Sequence, residues 1–179
     1  MSDKMKIKVF SCIMLTLLFL CACRTQSVYA KEKITVGTNA EYAPFEYLDS
    51  DGNLTGFDYE LLEAIAQEEN LELEWKDMPF DSLVGSMETG NIQIIAAAIG
   101  PTKEREKSVD FSDVYYTGSQ SIVSSQKTPL YDFAELSGKR VAVLEGSQSD
   151  FIVSGENTDY GVVENATVVR FKNAASAVM

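Results

Sequence analysis

Ile34-Thr-Val-Gly-Thr38, Asp58-Tyr-Glu-Leu-Leu-Glu-Ala-Ile-Ala-Gln-Glu-Glu69, Leu71-Glu-Leu-Glu-Trp75, Leu83-Val-Gly-Ser-Met87 and Ile92-Gln-Ile-Ile-Ala-Ala-Ala98 follow one another within residues 34–98. The first is short and β-branched, as strands are. In the second, Leu61, Leu62, Ile65 and Ala66 recur at helical spacing and predict one apolar face. Asp58 is the expected N-cap, Asp58 and Glu60 suit the positive end of the helix dipole, and Asn70 ends the helix. Leu71–Trp75 reads as a strand. A second helix is expected from Asp81 or Ser82, with Leu83, Val84 and Met87 inward and Gly90 as its stop. Ile92–Ala98 is a nearly continuous apolar run, the pattern of a parallel strand covered on both faces. The order β-α-β-α-β predicts an α/β sheet with right-handed crossovers.

A second unit is expected after Gln126-Lys-Thr-Pro129. Asp132 caps a short helix that Gly138 stops, Arg140–Leu144 is a strand, and Glu145-Gly-Ser-Gln148 is a loop into a further helical stretch. Thr167–Phe171 is strand-like, and Asn173 can cap a helix from Ala174.

Composition narrows the chemistry. The 179 residues carry a formal net charge of −12 and contain no histidine. An acidic chain without a basic block has no footprint for nucleic acid. The commonest general base and metal ligand is missing, and Cys12, Cys21 and Cys23 all lie near the N-terminus, so no cofactor is expected. Lys4, Lys6 and Lys8 precede an apolar run, Val9–Ala22, of signal-peptide length. It ends in Leu20-Cys21-Ala22-Cys23, which resembles a bacterial lipobox; Cys23 is the expected lipidation site. Residues 1–22 are then a lipoprotein signal peptide and 23–33 a lipid-anchored tether at the outer face of the cell membrane. Val28-Tyr29-Ala30 offers an alternative, cleavage after Ala30 and plain secretion. Removing residues 1–22 takes away three Lys and one Asp and leaves 12 basic and 26 acidic residues, net −14.

Open α/β sheets bind ligands at the carboxyl ends of their strands. Four loops lie there: Asn39–Glu46, Met78–Asp81, Ala98–Thr102 with Arg105 close behind, and Glu145–Gln148. Aromatic rings, backbone amides and one arginine on one crevice suit a small zwitterion. Arg105 can pair bidentately with a carboxylate, and Tyr42 and Phe80 can sandwich a side chain. Blander readings stand beside these: Arg105 as a charge on a solvated turn, Tyr42 and Phe80 as ordinary core aromatics, Asn39 as a turn former.

Gly37-Thr-Asn-Ala-Glu-Tyr-Ala-Pro-Phe-Glu46, Gly56-Phe-Asp58, Pro79-Phe-Asp81, Thr102-Lys-Glu-Arg105 and Val109-Asp-Phe-Ser-Asp-Val-Tyr-Tyr116 together resemble the amino-acid-binding proteins of ATP-driven (ABC) importers, extracellular solute-binding family 3. The resemblance runs from Ile34 to the end of the chain. It implies a periplasmic-binding-protein-like fold of type II, two α/β lobes on two hinge strands, with 34–122 as the first lobe and 123–179 as the hinge and start of the second. Arg105 would take the ligand α-carboxylate. The backbone at Ala98 and Gly100 would serve the α-amine and carboxylate, and Ser147 and Gln148 would add amides. Tyr42 and Phe80 would pack on the side chain.

The chain departs from the family with Asn39, where relatives often have an acidic residue, and Gly100, where many have Ser or Thr. The family's second-lobe aspartate and the return strand of the first lobe fall beyond Phe171-Lys-Asn-Ala-Ala175, so a C-terminally shortened chain with an incomplete second lobe is expected. The implied function is a monomeric, non-enzymatic receptor that closes on an amino acid, by hinge motion near Ser121–Ser125, and delivers it to the subunits of an ABC permease. The alternatives are a cyclic-acid dehydratase on the same fold, with Glu41 or Glu46 as acid/base groups, a sensor domain signalling through a transmembrane partner, and a non-functional remnant of the receptor.

Overall fold

β1 (Glu32–Thr38) is the axis of the first sheet. It pairs in parallel with β5 (Leu71–Asp77) along its whole length, from Glu32 opposite Leu71 to Thr38 opposite Asp77. On its other side it meets β6 (Ile94–Ile95), giving the order β5-β1-β6. The computed structural model describes residues 31–157 and 163–179. Cys23 and Ala30 lie outside the described residues, as does the whole apolar leader.

Between β1 and β5 come a small antiparallel meander and a helix. β2 (Glu41–Tyr42), β3 (Glu46–Leu48) and β4 (Leu54–Thr55) form the meander. The Asp49 carboxylate closes the β3–β4 turn by accepting from the amides of Asp51 and Asn53, each at 2.9 Å. The helix α1 (Phe57–Glu68) packs on β5. Tyr59 and Trp75 rings lie 5.0 Å apart there, and Trp75 Nε1 donates to Glu63 Oε1 at 2.8 Å. β5 alternates half-buried Leu71, Leu73 and Trp75 with exposed Glu72 and Glu74, the pattern of a strand covered on one face.

Three expectations need correction here. Asp58 does not cap α1. Gly56 is the N-cap, at φ 123°, where a Cβ would stand 2.3 Å from the Phe45 carbonyl oxygen, so only glycine fits the entry. Asp58 is instead buried and bonds distant groups. Ile65 stays 46% exposed while Ala66 is buried, so the apolar face of α1 is narrower than its periodicity predicts. Ile92–Ala98 is not a long covered strand: only Ile94–Ile95 is paired, and its far edge has no partner strand among the described residues.

After β5, a 3₁₀ turn over Phe80–Ser82 leads into α2 (Leu83–Glu88), and Gly90 follows at φ 73°. Leu83, Ile92 and Ala97 are the buried centre of the first core, with Met78, Phe80, Met87 and Ile95 against it. A second 3₁₀ turn holds Arg105–Lys107. From there to Phe133 the described chain forms no helix or strand, so the stretch Ser121–Ser125, expected as hinge strand, is unpaired.

The second sheet follows its sequence reading closely. A 3₁₀ turn over Phe133–Leu136 opens on a capping box, in which Asp132 accepts from the Ala134 amide and Glu135 reaches back to the Asp132 amide. β7 (Arg140–Leu144) and β8 (Thr167–Phe171) pair in parallel. α3 (Gln148–Val153) and α4 (Ala174–Val178) start on caps from Ser147 and Asn173. Leu136, Val143, Ile152, Val153 and Val163 are buried together in a second core, with Ile122 packed against it. Residues Glu32–Met179 form one compact unit that holds both cores.

Candidate binding site

The segments after β5, β6 and β7 carry the groups that meet between the two cores. The cavity there has a volume of about 200 Å³ and is lined by Phe80, Asp81, Val84, Ile99, Glu104, Arg105, Ser108, Gly146 and Phe151. Asp81 and Glu104 are among its lining residues, and Arg105 is its buried cation. The 3₁₀ turn buries it to 6% exposure, and the Thr102 hydroxyl accepts from its amide at 3.2 Å. Its guanidinium lies 5.4 Å from the ring centre of Phe80, which packs on the first core, and 5.5 Å from that of Phe151 in α3, so an aromatic flanks it on each side of the cleft. Nη1 donates to the Gly100 carbonyl at 2.7 Å and Nη2 to the Gly146 carbonyl at 2.8 Å. These use two of five N–H donors, so three stay available.

Among the described residues, Arg105 has no carboxylate within salt-bridge distance. Burial lowers its pKa to about 10, which leaves it charged at neutral pH. A buried cation without an anion is costly, because carbonyl dipoles and ring faces replace only part of its hydration. Such a group is suited to take a bidentate anion of carboxylate shape.

The other residues named from sequence sit around this centre at different distances. Phe80 and Arg105 line the cavity, and Gly100 does not, but its carbonyl accepts from Arg105. A Cβ at Gly100 would meet nothing within 4 Å, so the glycine there is not demanded by packing. Ala98 has φ 46°, and its amide donates to Asp58 Oδ2 at 2.6 Å. Asn39 is buried, with Nδ2 donating to the Met78 carbonyl at 3.1 Å, so it ties the end of β1 to the end of β5. Tyr42 is 47% exposed and stacks on Phe45 at 5.6 Å; it does not line the cavity. Ser147 caps α3 and its hydroxyl lies 2.8 Å from that of Ser149, while Gln148 is the first residue of α3.

Three groups escaped the sequence reading. Phe151 stands four residues beyond Ser147, the spacing that puts two residues on one helix face. The Gly146 carbonyl carries no side-chain signal. Asp58 Oδ2 also accepts from the Tyr115 hydroxyl at 2.8 Å, so one buried carboxylate holds both the Ala98 loop and the Tyr115 connector to α1. Next to it, Glu46 is 1% exposed, and burial with the charge of Asp58 raises its pKa to about 9. Among the described residues, no group of three or more His, Cys, Asp or Glu side chains could hold a metal ion.

Known proteins resemble this chain in sequence and fold. The arginine-binding extracellular protein of Bacillus subtilis is 40% identical over 139 residues, covering 78% of this chain and 54% of its own. An ancestral arginine-binding protein bound to arginine superimposes with a TM-score of 0.73 at 35% identity, covering 83% of this chain and 65% of that one. An ancestral amino-acid-binding protein, a precursor of cyclohexadienyl dehydratase, gives 0.71 at 32% identity, covering 81% and 63%. The chain thus spans about half the length of the Bacillus subtilis relative. Its α/β units are those of the type II periplasmic-binding-protein-like fold. The sequence pattern of one family matches residues 34–176, and with it the chain belongs to the bacterial extracellular solute-binding proteins, family 3.

Proposed function

We propose that this chain is the ligand-receiving part of an extracytoplasmic amino-acid receptor, lipid-anchored through Cys23, that closes as a monomer on its ligand and hands it to an ABC permease. The observation that carries the reading is the buried Arg105 between the two cores, without a carboxylate partner among the described residues and flanked by Phe80 and Phe151. In this account the two cores belong to two lobes, 34–122 and 123–179. Arg105 takes the ligand α-carboxylate through its free N–H donors. The backbone at Ala98 and Gly100 and the amides of Ser147 and Gln148 complete the polar contacts as the lobes close, with Asn39 at the rim. Phe80 and Tyr42 pack on the ligand side chain. Relatives named for arginine make a cationic amino acid the first candidate.

The reading is of binding without turnover. Glu41 and Glu46, the carboxylates with acid/base potential in the sequence, do not line the cavity. The experiment is calorimetric titration of the purified protein with the free amino acids. Binding of L-arginine or another cationic amino acid at micromolar Kd is expected. A protein that binds none of the twenty, or that dehydrates arogenate or prephenate, contradicts the reading.

A further inference from the structure

Among the described residues, two side chains bond across the cleft: Arg105, to the Gly146 carbonyl, and Lys172, which lies outside the cavity in the short link between β8 and α4. Lys172 Nζ stands 3.0 Å from Glu145 Oε2 and 2.6 Å from Asp81 Oδ2. The two carboxylates differ in origin. Glu145 follows β7, directly beside Lys172: its amide donates to the Phe171 carbonyl at 2.9 Å, so the β7–β8 pairing keeps Glu145 and Lys172 together whatever the other core does. Asp81 belongs to the 3₁₀ turn ahead of α2, between Phe80 and Leu83 of the first core. The backbones approach closely at this point, since a Cβ on Gly146 would stand 3.2 Å from Asp81 Cβ.

We propose that Lys172 is a closure clip: held ready by Glu145, it reaches across the cleft to Asp81 and favours the closed arrangement of the lobes, and so tightens amino-acid binding without touching the ligand. The proposal rests on the receptor reading. The Lys172–Glu145 pair exists in both the open and the closed arrangement and cancels between them, whereas the Lys172–Asp81 pair exists only when the lobes meet. Only a contact that differs between two states shifts their balance. Lys172 is 61% exposed and Asp81 25%, so water and salt weaken the pair, and its effect is a tuning of affinity and not the source of it.

The test compares wild type with Lys172→Met, Asp81→Asn and the double variant. L-Arginine is the probe, at low salt and at about 0.5 M salt. Lys172→Met is expected to raise Kd about threefold at low salt, mainly through faster release, with the difference vanishing at high salt. Adding Lys172→Met to Asp81→Asn is expected to change nothing more. A Lys172→Met Kd equal to wild type at low salt, or additive effects in the double variant, overturns the proposal. If wild type binds no amino acid, the receptor reading fails, and the clip is read without ligand. Spin labels on α2 and α3 then report the interlobe distance, expected to lengthen or broaden in Lys172→Met. An unchanged distribution overturns the clip independently.

Discussion

At the scale of single residues, Arg105 and Glu46 are two buried ionisable groups of opposite consequence. Arg105 is legible in the sequence because Thr102-Lys-Glu-Arg105 sits just after the third strand, at the end of the sheet where α/β ligands bind. Its flanking ring Phe151 is not legible, because a lone phenylalanine in a helix reads as core until the cavity is seen. Glu46 is the reverse case. It reads as a polar loop residue, yet it is buried beside Asp58, and nothing in the string Ala43-Pro-Phe-Glu46 announces that. Its pKa of about 9 makes a testable statement about pH. The folded form holds a proton that the unfolded chain, with an ordinary glutamate value of about 4.3, releases. This contribution to stability is full below that ordinary value and is lost as pH rises towards 9, by at most about 1.4 kcal/mol per unit. Glu46→Gln, neutral at every pH, should flatten the decline and be more stable than wild type at pH 8. Urea unfolding at pH 5 and 8 checks it; a decline of equal slope in both proteins contradicts it.

At the scale of elements, strands buried by local pattern were readable and those fixed by distant partners were not. β7 and β8 coincide with the stretches expected from sequence, and Asp132 and Asn173 cap where their residue type and position predict. Ile92–Ala98 looks like a central strand because it is apolar throughout, but pairing depends on a neighbour, and among the described residues β1 supplies it along one edge only. Asp58 looks like a cap because caps are commonly Asp; Gly56 displaces it because the chain enters α1 against the Phe45 carbonyl. That contact makes a prediction for the element. Gly56→Ala must relieve both a positive φ and a 2.3 Å clash, so it should cost about 2 kcal/mol or more, read as a lower urea midpoint with loss of the α1 entry. A midpoint within experimental scatter of wild type would show that the meander–α1 junction is pliable.

At the scale of the whole molecule, two cores meet across a cleft that holds one buried arginine, with Lys172 crossing at its edge. The fold class follows from the order of elements, since β-α-β-α-β and a second β-α-β can bury their apolar faces as two α/β layers. What the cleft does is a matter of its groups and not of the fold. Only Arg105 and Phe80, of the side chains expected to touch ligand, line the cavity, and Tyr42 lies off it against Phe45. The sequence shows which loops converge but not which side chains turn inward, because that depends on packing between segments far apart in the chain.

The central claim is that Arg105 receives a ligand carboxylate, and the most direct measurement compares the affinity of the best-bound amino acid with that of its α-carboxamide, in wild type and in Arg105→Ala. The account predicts that wild type disfavours the amide by about 100-fold, as expected when a buried bidentate ion pair is replaced by a neutral contact, and that Arg105→Ala binds the two alike and weakly. Equal binding of acid and amide by wild type, or full affinity in Arg105→Ala, would contradict it.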